Sequence, residues 1–403
     1  MLLTRDFRLV WWGQMVSQVG DGVSKLALLW FVYAVTGSPL KTTIIGLLQT
    51  LPPIIFGPLI GVCIDRFPKK ALMIGSDLSR AVLIGLIPCT VSPEVFTVDF
   101  LYLLVFLNAV VTAIFGPALV ASVPFVVRRS QLTAANALLQ STTSLGIILG
   151  PILSGIGIAT LNSQTVLCVN AATYLISAAC LVPVRFHQPG GKQESLPQGS
   201  PIRDLIEGLR FALVRQRTVL LLIVTAAFYT FGSSALTTLF PVFGRKMLDL
   251  GPVEVGYLWS ALGVGLLLTS LVLVRITEHG QGKRMLIIAA TSAVTGLAIC
   301  ALVFVRQTPT AAILMAIVGG GMGTMTPIAW GLLQELTPRE AVGRVLAIYN
   351  TGAMTAAVAG ISAFGWITEK FGEPASVLGI GAVMLLTSVV ARIVSQQVAT
   401  RGA

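Results

Sequence analysis

Gly61-Val62-Cys63-Ile64-Asp65-Arg66-Phe67-Pro68-Lys69-Lys70 lies between two long apolar stretches and sets four charges into a turn that hydrophobicity alone does not explain. Each flank is apolar for about the ~20 residues that a membrane-spanning helix needs. The segment therefore reads as a surface connection between two spans, with Gly61 where one helix comes close to a neighbour.

The rest of the chain agrees with that reading. Of its 403 residues 55% are hydrophobic and 11% charged, against roughly 25% charged in a soluble domain. The apolar runs predict spans near 9–35, 43–64, 71–92, 97–121, 133–160 and 163–184, then 218–243, 252–274, 285–305, 308–334, 343–368 and 374–396. The expected fold is an all-α membrane protein of twelve transmembrane helices. Met1 to Arg8 leads into the first span without a small-residue cleavage site, so that helix is expected to be retained. The net charge of +11 gathers on one side of this map, at Arg66, Lys69, Lys70, Arg128, Arg129, Arg185, Lys283 and Arg284 among others. By the positive-inside rule both termini and the 186–217 connection are cytoplasmic. The basic balance is topology, and no nucleic-acid partner is expected. Cys63, Cys89, Cys168, Cys180 and Cys300 form no CxxC pair and suggest neither a disulfide framework nor a metal site. No catalytic triad or phosphate-binding loop is present, so neither enzyme activity nor a cofactor is expected.

The chain reads as two repeats. Pro117 and Pro327, which end the fourth and tenth predicted spans, stand 210 positions apart, as do Gly150 and Gly360, and Gly155 and Gly365. Lys69-Lys70 has a counterpart in Lys283-Arg284. The expected organisation is a six-helix bundle over 1–185, a linker with an amphipathic helix over 186–217, and a second bundle over 218–403. Facing repeats of this kind hold a substrate near the bilayer midplane and alternate access by rocking. Thr337-Pro338-Arg339-Glu340 reads as a capping box opening the eleventh helix.

Inside the spans, Gln14, Gln18, Asp21 and Lys25 share one helical face. Asp21 and Lys25 read as the only ionisable residues deep inside any predicted span, where a charge costs at least ~2.5 kcal/mol. They are a self-neutralising i,i+4 pair or a proton- or cation-binding carboxylate tuned by its lysine. Thr225, Tyr229, Ser233 and Thr237 form a polar line in the seventh span. Asn108, Asn136, Gln140, Asn170, Tyr174 and Asn350 are further candidates to line a substrate cavity. Such uncharged lining suits a bulky amphiphile; a phosphate ester or di-acid would call for arginine. Gly146, Gly150, Pro151 and Gly155 place small residues and a helix-bending proline in the fifth span.

The turn at Gly61 to Lys70, with Asp77 and Arg80 in the helix that follows, resembles the loop motif of the major facilitator superfamily. The run from Gly146 to Gly155 resembles the glycine-proline motif of its exporting branches. Phe7 through Asp21, Gly57 through Leu78, Phe228 through Pro241 and Gln334 through Val345 resemble drug and siderophore exporters, macrolide-efflux-like proteins above all. That resemblance implies the major facilitator fold in two pseudo-symmetric bundles. It implies a multidrug-type efflux antiporter in a bacterial inner membrane, a monomer that moves a small amphiphilic molecule at the expense of a proton gradient. It also implies a cytoplasmic gating loop of Gly61, Asp65, Arg66, Lys69, Lys70, Asp77 and Arg80. There Asp65 faces the positive N-terminal end of the eleventh helix, with Arg344 as a direct ion partner, a contact worth about 0.3–1 kcal/mol when exposed. The exporters' arginine in the fourth span is replaced by Asn108, which shifts the proton-carrying role onto Asp21 with Lys25. A lipid or lysolipid flippase on the same scaffold is the alternative, expected to show a lateral opening and a mostly apolar cavity.

Overall fold

The computed structural model describes residues 4–89, 98–128, 131–186, 217–276, 281–337 and 342–399. Its elements are α1 (Arg5–Thr36), α2 (Pro39–Arg66), α3 (Lys69–Cys89), α4 (Val98–Ser122), α5 (Leu132–Leu161), α6 (Ser163–Leu181), α7 (Arg217–Leu248), α8 (Pro252–Ile276), α9 (Gln281–Leu302), α10 (Thr308–Leu336), α11 (Val342–Phe371) and α12 (Glu373–Ala399), with one 3₁₀ turn at Val123–Phe125. Each of these twelve helices contains a stretch long and apolar enough to cross a membrane; the chain is an integral membrane protein, all-helical among the described residues.

Local chemistry sets the helix ends. The Thr4 hydroxyl accepts from the Phe7 N–H at 3.2 Å to start α1, and Gly37, with φ of 63°, closes it. The Asn162 side chain accepts from the Thr165 N–H at 2.9 Å to start α6. Pro117 and Pro327, expected to end their spans, sit inside α4 and α10, which continue to Ser122 and Leu336. A helix tolerates proline in a membrane when neighbours satisfy the freed carbonyl. The predicted linker helix and the residues Pro338 to Glu340 of the predicted capping box lie outside the described residues; α11 is described from Val342.

The chain divides into two compact units, one of residues 1–37, 44–194 and 251–260, the other of 38–43, 195–250 and 261–403. The same pairings build each. In the first, α1 packs on α5 and α6, and α3 on α4 and α6; in the second, α7 packs on α11 and α12, and α9 on α10 and α12. Element n of one unit matches element n+6 of the other. The glycines 210 positions apart do matching work. A Cβ on Gly150 would stand 2.5 Å from Gly22 of α1, and one on Gly360 would strike the Phe231 backbone of α7. A Cβ on Gly155 would stand 2.5 Å from the Pro252 carbonyl at the start of α8, and one on Gly365 would strike Thr43 at the start of α2. Within the second unit, Glu369 also accepts from the Leu40 N–H and the Ser38 hydroxyl, each at 3.2 Å, capping the first turn of α2.

The paired basic residues of the two repeats have diverged. Lys70 Nζ donates to the carbonyls of Val182 and Val184 at 2.7 and 2.8 Å, tying its turn to the C-terminal end of α6. Arg284 instead forks onto Glu335, with Nη1 donating to Oε1 at 2.8 Å and Nη2 to Oε2. These bonds hold the Glu335 carboxyl below its usual range.

Gly150→Leu and Gly360→Leu are each expected to destabilise the protein by about 1–3 kcal/mol through overpacking, read as a lower unfolding temperature in detergent. Gly75→Ala, with open space around it, should leave that temperature unchanged or raise it slightly. The depressed Glu335 contributes stability above its unfolded titration range and loses it as pH falls through its folded value. Arg284→Gln should therefore cost no more than ~1 kcal/mol at neutral pH, and thermal unfolding of variant and native protein should converge in acid.

Candidate functional site

Asp77 and Arg80 lie one turn apart on α3, inside a membrane-spanning segment. Both belonged to the expected gating loop, and their burial corrects that assignment: the Asp77 side chain is 0% and that of Arg80 2% exposed. Arg80 Nη2 donates to Asp77 Oδ1. Arg80 Nη1 stands 3.8 Å from Oδ2 of Asp21, whose side chain is 30% exposed. The guanidinium carbon is 4.4 Å from the ring centres of both Phe115 on α4 and Tyr174 on α6, so the cation is held between two aromatic rings. The Tyr174 hydroxyl donates to Asp21 Oδ1 and accepts from the Asn170 amide at 3.3 Å. Charges from α1 and α3 thus meet in one cluster roofed by aromatics from α4 and α6. An isolated charge there would be expelled; an opposed, hydrogen-bonded set is tolerated.

The expected Asp21–Lys25 pair is not formed. Lys25 is exposed and lies 5.8 Å from the centre of the Trp259 ring, within the same unit. The cation beside Asp21 comes from α3: Arg80 stands 3.8 Å from its carboxylate, while the Lys25 ammonium lies by Trp259. The deficit inferred from Asn108 is corrected likewise. Asn108 is partly buried with Oδ1 unpartnered, while Arg80 supplies the positive charge. An Asp and an Arg three apart inside the predicted span 71–92 were the signal for this centre, obscured by their nearness to the charged turn.

Of the other candidates in the first unit, Gln14 is buried with Nε2 unpartnered, Gln18 is half-buried and Gln140 is exposed; the Asn136 side chain is outside the described residues. Of the described candidates, only Asn170 and Tyr174 join Asp21. In the second unit Thr225 bonds its own helix at Leu221, Tyr229 and Ser233 are buried, and Asn350 is exposed. Gly61 and Asp65 lie in α2 near its end and Arg344 in the first turn of α11, with the Asp65 and Arg344 side chains outside the described residues. Arg66 is exposed, and Lys69 lies 5.8 Å from the centre of the Phe125 ring.

The face of α1 opposite Gln14, Gln18 and Asp21 borders an apolar groove of ≈ 460 Å³ between α5 and α6. Met15, Val19, Leu149, Leu153, Val166 and Val169 line it, and Asn170 and Thr173 form its only polar wall. Asn170 therefore touches the groove on one side and the Tyr174–Asp21 bond on the other.

Removing Arg80 would strand a buried carboxylate, so Arg80→Ala is expected to cost about 3–5 kcal/mol, measured by thermal or denaturant unfolding in detergent. Asp77→Asn combined with Arg80→Gln should recover part of that loss.

A family model described as Major Facilitator Superfamily matches residues 10–361. The chain is 26% identical over 394 residues to the multidrug efflux pump Tap of Mycolicibacterium fortuitum, covering 95% of this chain and 94% of that one. It is 24% identical over 393 residues to macrolide efflux protein A of Streptococcus pyogenes, covering 97% and 96%. Among solved structures, an inward-facing bacterial homologue of the iron transporter ferroportin superposes with a TM-score of 0.77 at 16% identity, covering 98% and 100%.

Proposed function

Because the chain belongs to the Major Facilitator Superfamily, we propose that it is a secondary active exporter that moves amphiphilic organic compounds, macrolide- or drug-like, out of the cytoplasm in exchange for protons. The single observation that carries the coupling is Asp21. It is a carboxylate in the membrane interior, partly open, with its oxygens divided between the Tyr174 hydroxyl and the Arg80 guanidinium. A group so placed takes up a proton from the outer side and gives it to water on the inner side as access alternates. The efflux proteins that share nearly the whole chain support the direction and the kind of substrate. On this reading the protein is a monomer in a bacterial inner membrane with both termini cytoplasmic, and the proton gradient replaces any bound cofactor. The turn from Asp65 to Lys70 serves as the cytoplasmic gating loop.

A flippase for lipids or lysolipids is the second reading, favoured by the apolar groove beside α1, α5 and α6. Transport in proteoliposomes separates the two. The native protein should move erythromycin or ethidium when a pH gradient is imposed, and Asp21→Asn should lose the gradient-driven component while remaining folded and monodisperse. Full gradient-driven efflux by Asp21→Asn would remove the coupling role. Translocation of fluorescent lysophosphatidylcholine with no movement of either drug would select the flippase.

A further inference from the structure

We propose that Arg80 is a counter-charge shared by two carboxylates, and that Asp77 is the positioning residue that sets how readily Asp21 takes up its proton. This rests on the proton-antiport reading of Asp21 and extends it to a residue outside the drug-lining face.

The geometry is asymmetric. Asp77 is fully buried and directly bonded to Arg80, whereas Asp21 is 3.8 Å away and the only one of the three open to exchange. A guanidinium committed to one carboxylate frequently makes two parallel bonds. Here only one reaches Asp77: Asp77 Oδ2 and Arg80 Nε are buried without hydrogen-bond partners, and Nη1 is turned toward Asp21. Arg80 is thus divided between the two acids, and the rings of Phe115 and Tyr174 keep it from leaving them.

Charge balance gives the division a use. With both acids ionised, two negative charges face one positive, and the surplus favours protonation of the more accessible acid. A proton from water adds to a carboxylate oxygen of Asp21, its pull on Nη1 is lost, and Arg80 closes onto Asp77. Release of that proton to water on the other side reverses the exchange, and no other reactant is consumed. The charged and titratable groups facing the pair are few. Asp21 meets Arg80 from α3 and Tyr174 from α6, α5 contains no titratable residue, and Lys25 is turned to Trp259. Asp77 meets Arg80, with Ser177 of α6 beside it. From α4 the group that reaches the centre is the Phe115 ring; its Asp99 and Tyr102 lie in the first turns.

Infrared difference titration of the purified full-length protein in nanodiscs reads the protonated carboxyl directly and needs no transported compound. Asp21→Asn removes the Asp21 band and so identifies it. In Asp77→Asn, Arg80 belongs wholly to Asp21, and the band should appear at a pH lower by about one unit; Asp77→Glu should restore the native profile. If Asp77→Asn does not fold, Arg80→Lys takes its place: an ammonium cannot serve both acids, it stays with Asp77 one turn away, and the band should move to higher pH by about one unit. A band unmoved in the folded variant overturns the proposal, as does a native protein in which Asp21 gives no band at any pH. Variants that show these shifts, together with a native protein that exchanges no proton for erythromycin or ethidium in proteoliposomes, support the shared counter-charge and defeat antiport.

Discussion

One guanidinium held in hydrocarbon is the constraint around which the first unit is arranged. Arg80 is among the largest fully buried side chains of the protein, and at that depth it persists only if anions, hydrogen-bond acceptors and polarisable rings surround it. Four helices answer that demand: α1 brings Asp21, α3 Asp77, α4 Phe115 and α6 Tyr174. Because each supplies one piece, the position of Asp21 depends on all four. A carboxylate whose neighbours sit on several helices senses their movement, as a coupling residue must.

The helices come together by a simpler rule. Polar pairing cannot drive packing along whole spans, so close approach rests on small residues. Gly150 against α1 and Gly360 against α7 make the same contact in the two units, and Gly155 and Gly365 seat the first turns of α8 and α2. Duplication preserved this backbone fit and the helix pairings that follow from it. It did not preserve the chemistry, since Lys70 clamps helix-end carbonyls where Arg284 grips a carboxylate. The second unit has no described counterpart of the Asp21–Arg80–Asp77 centre, which makes the first unit the proposed place of proton handling.

Much of this was legible in the chain. Span length and the offset of 210 between paired prolines and glycines depend only on local composition and order, and they led to twelve helices in two repeats. The aspartate within the α1 span was legible too, because a charge in a long apolar run stands out whatever it touches. Its partner was not. The i,i+4 rule pointed to Lys25, but that rule describes neighbours on one isolated helix. In the folded unit the side chain of Lys25 turns to Trp259 and a residue fifty-nine positions away takes its place.

What the sequence determined by itself is the membrane architecture, the repeat and the family, because hydrophobic length and glycine spacing act along the chain. What only the tertiary structure decided is which charges meet. Asp77 and Arg80 read as the tail of a surface motif until α3, α4 and α6 close over them. Whether a charged residue faces water or another charge is set by the packing of helices far apart in sequence. The physical reason is that electrostatic pairing in a low dielectric depends on a few ångströms of separation, a distance that the order of residues does not specify.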